Sequence, residues 1–265
     1  MQYRLEWRGL ALKLSTKIQE KQYSASNVRA YEAVFGEDFL SPGGRELALR
    51  LFEEGGLQKG GRILDVGSGV GGCAFLLAEE FEAEVVGIDL CLGLVNEANR
   101  RCSERGLTDK VRFLDMDSLD IDFNGEFDAI VSRDVFLHID DKPQLFNLLF
   151  QALKPGGRLM FTDYCCGSRP WPLTFRVYME TRRYTLHTIS EYRQFLEEAN
   201  FQSISAQDLT PLFSDTLRRE LASMDSAEGL SWTSKLAMPL AWKAKLRHCR
   251  LGAHKWGLFQ AVKAL

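Results

Sequence analysis

The chain has 265 residues, 45% of them hydrophobic, which is length for one large or two small domains and ample apolar material for a core. Its formal net charge is −3, so no global basic footprint points to nucleic acid. No apolar run reaches the roughly 18 residues of a membrane-spanning helix, and Met1-Gln2-Tyr3-Arg4-Leu5-Glu6-Trp7 lacks a signal-peptide core. In chain order, helices are expected over residues 5–50. An apolar run, Ile63-Leu64-Asp65-Val66, then reads as a buried parallel strand, followed by the loop Gly67-Ser68-Gly69-Val70-Gly71-Gly72 and a helix over 73–81. Val85-Val86-Gly87-Ile88-Asp89 is a second strand, ending in an acid about 20 residues after the loop. A third strand over 111–114 precedes Asp117, and a fourth over 127–132 leads into Arg133-Asp134-Val135-Phe136-Leu137-His138. A helix over 142–153 is stopped by the turn Lys154-Pro155-Gly156-Gly157, and a fifth strand spans 158–164. No internal repeat or low-complexity segment is present.

The glycine loop lets the backbone turn sharply and bring its N–H groups to a ligand without Cβ interference. Asp89, at the end of the second strand, can accept both ribose hydroxyls of a nucleoside. The strand–loop–helix–strand–acid unit therefore reads as a nucleoside-cofactor site. Taken alone, the glycines leave NAD and S-adenosylmethionine equally open. Two details separate them. The spacing D-x-G-x-G-x-G-G departs from the dinucleotide G-x-G-x-x-G, and Asp65 ahead of the first glycine suits an ammonium rather than a pyrophosphate. No Gly-Lys-Ser/Thr loop supports ATP hydrolysis. The six cysteines (Cys73, Cys91, Cys102, Cys165, Cys166, Cys249) show no metal-ligand spacing, so reduced thiols and no metal are expected.

Asp-Val-Gly-Ser-Gly-Val-Gly at 65–71 resembles motif I of the class I S-adenosylmethionine-dependent methyltransferases. The order that follows (Ile88-Asp89, Asp117-Ser118, Phe127-Asp128-Ala129-Ile130, Leu153-Lys154-Pro155-Gly156-Gly157) is similar to that core along its whole length. Outside the core, Gln22-Tyr23, Tyr31-Glu32-x-x-Phe35-Gly36-Glu37, Ser132-Arg133-Asp134 and Thr162-Asp163-Tyr164-Cys165 resemble the phosphoethanolamine N-methyltransferases, from about Gln22 to Lys263. The resemblance implies a doubly wound, seven-stranded α/β sheet, completed by strands over 202–209 and 257–264, the last antiparallel. It also implies an N-terminal helical lid over 1–55 and a methyltransferase domain over 56–265, with lid insertions at about 165–190 and 210–255.

The implied reaction passes methyl groups from S-adenosylmethionine to the amine of phosphoethanolamine and its methylated forms, leaving S-adenosylhomocysteine. A methyltransferase for another small amine or a lipid-like acceptor is the alternative. Around the cofactor the resemblance implies Gln22, Ser41, Asp65, Gly67, Asp89, Leu90, Asp117, Ser118 and Arg133, with Asp117 accepting from the adenine amino group. Removing the ammonium proton calls for a base working near neutral pH, for which His138 is the candidate. In the resembling family that histidine pairs with a latch tyrosine, here Tyr23, while Asp134 holds the amine end. A phosphomonoester dianion needs several donors at one spot: Arg182 can fork onto two oxygens and Lys245 adds a compact charge. Tyr31, Tyr164, Tyr178 and Tyr184 complete the substrate wall. Arg183 remains open as the phosphate ligand in place of Arg182, since spacing does not exclude a one-residue slip. Residues 231–265 hold seven Lys or Arg and no acid; apart from Lys245 these read equally as a solvated basic face or a membrane-surface contact. Taken alone, Tyr23 reads as a packing tyrosine and His187, His248 and His254 as core or surface histidines. The expected partner is a small molecule, with no nucleic acid, and the expected state a cytoplasmic monomer.

Overall fold

The structure, a computed structural model, describes residues 23–265 apart from 225, 226, 228 and 229. Helix α1 (Ala25–Phe35) and helix α2 (Gly44–Glu54) precede the core; the part of the expected helical stretch before Tyr23 lies outside the described residues. Strand β1 (Arg62–Val66), helix α3 (Gly72–Glu80), strand β2 (Glu84–Asp89), helix α4 (Leu92–Glu104), strand β3 (Val111–Asp115) and strand β4 (Phe127–Arg133) follow. Then come helix α5 (Lys142–Ala152), strand β5 (Leu153–Cys166), helix α6 (Leu173–Arg182), helix α7 (Ile189–Glu198) and strand β6 (Gln202–Asp208). Helix α8 (Thr210–Ser223), helix α9 (Trp232–Arg250) and strand β7 (His254–Val262) complete the chain.

The sheet order is β3-β2-β1-β4-β5-β7-β6, with β7 antiparallel to both its neighbours. Alternation along the strands builds two cores. Ile63, Val85, Phe113 and Val131 point to the face covered by α2, α3 and α4, where Phe52 meets Phe81 edge-on at 6.2 Å. Leu64, Val86, Ile130 and Phe161 point to the other face, where Phe146 of α5 and Tyr192 of α7 pack. Both faces are buried, so the middles of the inner strands are unbroken apolar runs (Ile63-Leu64, Val85-Val86, Ala129-Ile130-Val131) rather than alternating with polar residues.

Several boundaries differ from the sequence expectation. Helix α5 stops at Ala152, and β5 already begins at Leu153 instead of 158. Leu153 pairs with Phe127 and Arg158 with Ala129, so Lys154-Pro155-Gly156-Gly157 is a bulge inside the ladder rather than a turn ahead of it. Gly156, at φ 78°, takes the left-handed conformation the bulge needs. Strand β7 begins three residues earlier than expected, at His254, which pairs with Cys166.

β1 connects outward to β2 on one side and lies against β4 on the other, which makes the β1/β4 boundary the sheet's switch point. Ligands of doubly wound sheets bind in the crevice beyond the carboxyl ends of the strands there. Over that crevice α1, α6, α8 and α9 converge. Glu220 of α8 ties α9 to the loop before α2: its Oε1 accepts from Gly43 N–H at 2.7 Å and its Oε2 from Trp242 Nε1 of α9 at 2.8 Å.

Candidate active site

A cavity of about 1110 Å³ opens at the switch point, lined by the loops after β1, β2, β3 and β4 and by residues of α1, α9 and the end of α6. At one end lie the glycine loop and two acids. Gly67 has φ 75°, and a Cβ there would sit 2.3 Å from Val135, so only glycine fits this turn. Asp65 is 2% exposed; its Oδ2 lies buried with no hydrogen-bond partner among the described residues. Burial, with help from neighbouring Asp89, pushes its carboxyl up to about 7 against the pull of Arg133. Such a group gains by meeting a cation. Asp89 is preset by its neighbours: Oδ2 accepts from Gly69 N–H and Oδ1 from Cys91 N–H, each at 2.9 Å. Its remaining lone pairs face the cavity.

Ser41, Leu90, Asp117, Ser118 and Arg133 line this same end. Asp117 caps the short turn Ser118–Asp120 through Leu119 N–H. Arg133 does not reach into the cavity as a free charge. Its guanidinium donates to Pro42 O at 2.7 Å and Gly44 O at 3.2 Å, while Ser41 Oγ donates to Arg133 O at 3.2 Å. Arg133 thus clamps the loop before α2 onto the end of β4. Gln22 lies outside the described residues.

The opposite end is basic and aromatic. Lys245 Nζ donates to Tyr164 Oη at 2.9 Å and lies over the Tyr164 and Trp242 rings, 4.6 and 5.0 Å from their centroids. Burial, then the like charge of Arg182, brings its ammonium down to about 8, opposed by Asp134 and Glu220. Arg182, Tyr164, Tyr184 and Tyr31 line the wall with it. Arg182 is the last residue of α6, and Arg183 turns left-handed at φ 53° to end the helix; Arg182, not Arg183, is the one that lines the cavity. Tyr178 does not line it. Its ring stands edge-on to Tyr184 at 5.7 Å, packed among Phe175, His248 and His254, because it falls on the inward face of α6.

Between the two ends sit Asp134, His138 and Tyr23. Asp134 has φ 59°, accepts from Trp256 Nε1 at 2.7 Å and Thr162 Oγ1 at 3.1 Å on Oδ1, and keeps Oδ2 unpartnered. His138 ends the short turn Phe136–His138 and meets Tyr184 edge-on at 5.2 Å. Burial, and then the charges of Lys142 and Arg182, lower its pKa to about 4, so at pH 7 it is neutral, with a free lone pair, but a weaker base than a solvated imidazole. Tyr23 sets its ring 6.3 Å from that of Tyr31; among the described residues no hydrogen bond joins it to His138.

Sequence reasoning missed four supports of this site. Trp242 lines the cavity and stacks on Phe35, 5.8 Å away, which stacks on Tyr31. Glu220, 7% exposed, was signalled only as an acid on the Phe213/Leu217 face of α8. Beneath His138, fully buried Lys142 donates to Ile139 O and Thr185 O, and buried Asp163 accepts from Tyr192 Oη. Among the described residues no cluster of His, Cys, Asp and Glu could hold a metal ion, and no helix is long and apolar enough to cross a membrane.

A methyltransferase-domain family model matches residues 39–206. Phosphoethanolamine N-methyltransferase 1 of Arabidopsis thaliana is 39% identical over 91% of this chain and 50% of its own length, so the chain spans about half the plant relative. The phosphoethanolamine N-methyltransferase of Plasmodium falciparum (isolate 3D7) is 33% identical over 94% of this chain and 96% of its own. Among solved structures, Haemonchus contortus phosphoethanolamine N-methyltransferase 2, in complex with phosphomonomethylethanolamine and S-adenosylhomocysteine, superposes with a TM-score of 0.91 at 30% identity. That match covers 95% of this chain and 60% of the nematode one.

Proposed function

Because the chain belongs to the phosphoethanolamine N-methyltransferase family of the class I methyltransferases, we propose that it methylates the amine of phosphoethanolamine, of its mono- and dimethyl forms, or of both, toward phosphocholine. The observation that carries this reading is one cavity with buried acids at one end, a Lys–Arg–Tyr cluster at the other, and Asp134 with His138 between them. The residues fit S-adenosylmethionine: the orphaned carboxylate oxygen of Asp65 suits its ammonium, the Gly67 turn its close approach, and Asp89 its ribose hydroxyls. When bound, that cofactor supplies an electrophilic methyl on a sulfonium.

Everything else falls to the chain's own groups. Asp117 accepts from the adenine amino group, and Ser41, Leu90, Ser118 and the Arg133-clamped loop close around the cofactor. Arg182 forks onto the substrate phosphate while Lys245 and the hydroxyls of Tyr164 and Tyr184 add single donors. Tyr31 and, from behind, Tyr178 complete the wall. Asp134 holds the amine, and His138 takes its proton so that the nitrogen lone pair is free. Binding the dianion neutralises the Arg182 charge that depresses His138, so the base strengthens when its substrate is present. Tyr23 latches the closed site over His138. Fixing the two reactants in line can supply on the order of 7–11 kcal/mol of the barrier.

The lid of this reading is residues 1–55 with the segments near 165–190 and 210–255, over a methyltransferase domain of 56–265. No disulfide joins any of the six cysteines, which fits the cytoplasmic enzyme, acting as a monomer, of this reading. The test is methyl incorporation from radiolabelled S-adenosylmethionine into phosphoethanolamine, its mono- and dimethyl forms, and free ethanolamine. Labelling of at least one phosphorylated amine but not of free ethanolamine is expected; equal labelling of both kinds overturns the assignment.

A further inference from the structure

Asp134 carries two oxygens in different situations. Its Oδ1 takes both side-chain donors within reach, the Trp256 indole N–H at 2.7 Å and the Thr162 hydroxyl at 3.1 Å. Its Oδ2 is buried without any hydrogen-bond partner among the described residues. The backbone is committed as well: Asp134 is left-handed at φ 59°, and its N–H donates to Thr162 O at 2.9 Å. Trp256 itself is held on every side. It is fully buried on β7, pairs in register with Tyr164 on β5, stacks on Phe213 at 5.5 Å, and has its N–H and C=O taken by Thr210 Oγ1 and Leu209 N–H.

We propose that Trp256, seconded by Thr162, is a positioning residue for methyl transfer: by anchoring Oδ1 it presents the uncapped Oδ2 of Asp134 to the substrate amine. This rests on the reading of Asp134 as the amine ligand. A carboxylate with one oxygen fixed by two donors cannot rotate, so its second oxygen holds one direction into the cavity. Charge follows the same geometry. Burial drives the Asp134 carboxyl upward, and the two donors, with Arg133 and Lys245, oppose it. A protonated Asp134 loses the charge that attracts an ammonium. The charged or titratable groups facing it are Arg133 on β4, Lys245 on α9, Tyr164 and Asp163 on β5, Tyr23 ahead of α1 and Cys73 on α3. None of these donates to Oδ2 among the described residues.

The experiment measures kcat and KM for phosphoethanolamine from pH 5 to 9 in Trp256→Phe, Thr162→Val and Thr162→Ser, alone and in an Asp134→Asn background. Cofactor affinity is followed by calorimetry. Trp256→Phe keeps an aromatic ring in the core and removes the pyrrole half of the indole with its N–H. It is expected to lower kcat/KM at least tenfold, to move the acidic limb to higher pH, and to leave S-adenosylmethionine affinity unchanged. Thr162→Val should act in the same direction and Thr162→Ser restore the wild-type value. In the Asp134→Asn background Trp256→Phe should have little further effect, since its partner is already gone. A loss of the same size in both backgrounds, or wild-type kcat/KM in Trp256→Phe, overturns the proposal. If Trp256→Phe does not fold, the Val/Ser pair at Thr162 decides in the same way. Full activity in Asp134→Asn alone instead removes the reading of Asp134, and this proposal with it.

Discussion

Lys245 offers the sharpest test of the basic end of the cavity, because its ammonium titrates in an accessible range. Burial and the nearby Arg182 charge bring it to about 8 in the free enzyme. If the phosphate dianion binds only when Lys245 is charged, the apparent KM scales as one plus ten to the power of pH minus pKa. That factor is about 1.1 at pH 7 and about 11 at pH 9. The KM for phosphoethanolamine should therefore rise roughly tenfold between those values. Neither reactant group confuses the window: a phosphate monoester loses its last proton near pH ~6 and an alkylamine near ~10.4. Removing the charge with Lys245→Met should raise KM by about 10–100-fold at pH 7, the worth of a charge-assisted hydrogen bond, and should flatten its pH dependence. Lys245→Arg should bind comparably at pH 7 and stay flat to pH 9. There is a stability corollary. The unfolded chain keeps the lysine proton up to pH ~10.4 whereas the fold begins to lose it near 8, so the residue destabilises the free enzyme at neutral pH. Lys245→Met should melt higher there. Initial rates at saturating cofactor and thermal melts of the free protein measure both effects. A wild-type KM that is flat from pH 7 to 9, or a slope that survives in Lys245→Met, refutes the reasoning.

Asp65 makes the mirror-image prediction: with its carboxyl held at about 7, the Kd for S-adenosylmethionine should weaken about tenfold from pH 8 to pH 6, and Asp65→Asn should abolish that dependence. A raised acid stabilises the fold below its unfolded pKa and loses that contribution as pH climbs through 7, so Asp65→Asn should raise the melting temperature at pH 8 while binding cofactor poorly; calorimetry and thermal melts report the two. Asp89→Ala should weaken cofactor binding at least tenfold, about 1.4 kcal/mol, and an unchanged calorimetric Kd removes it from the ribose site. His138→Ala should lower kcat by roughly 10²–10⁴ with KM for phosphoethanolamine little changed. Tyr23→Phe should slow turnover too, and the double variant should lose less than the product of the singles; strictly multiplicative losses separate the two residues.

What the sequence made legible was the part of the site built from local pattern. Asp65, Gly67 and Asp89 were readable because a doubly buried strand, a left-handed glycine turn and a strand-end acid each leave their mark within a few residues. The seven-stranded, doubly wound sheet followed from the resemblance of the whole core, and the antiparallel β7 with it. The Pro155-Gly156-Gly157 bulge was misread as a turn because the same residues serve both, and only pairing of Phe127 with Leu153 distinguishes them. Lid contacts were invisible for a different reason. Glu220 binds Gly43 from 177 residues away, and no local periodicity encodes a partner at that distance. Tyr178 stands behind the wall rather than in it, because sequence gives the helix face but not which neighbour covers it; four residues before Arg182, it packs on His248 and His254.

The distribution of uncompensated charge explains why one cavity can serve two ligands of opposite sign. Acids and bases in this fold are abundant enough to pair, and many do: Arg101 and Arg105 of α4 bind Glu32 and Asp38, which fastens α1 and the loop after it to the core. Among the described residues the cavity's Asp65, Asp134, Arg182 and Lys245 make no such pair. Arg133 spends its guanidinium on backbone carbonyls rather than on Asp65. Glu220 is taken by Gly43 and Trp242, so it does not reach Lys245. Asp134 is held by an indole and a hydroxyl, both neutral donors. Each arrangement leaves a buried charge short of its counter-ion, which burial penalises in the free protein. The deficits match the proposed ligands group for group: Asp65 lacks a cation where an amino-acid ammonium belongs, Asp134 Oδ2 lacks a donor where the substrate amine belongs, and Lys245 with Arg182 lacks an anion where the phosphate belongs. Binding then relieves the penalties that folding imposed. On this argument variants that neutralise Asp65 or Lys245 should trade affinity for stability, whereas Glu220→Gln, whose oxygens already have donors, should weaken the lid and gain nothing.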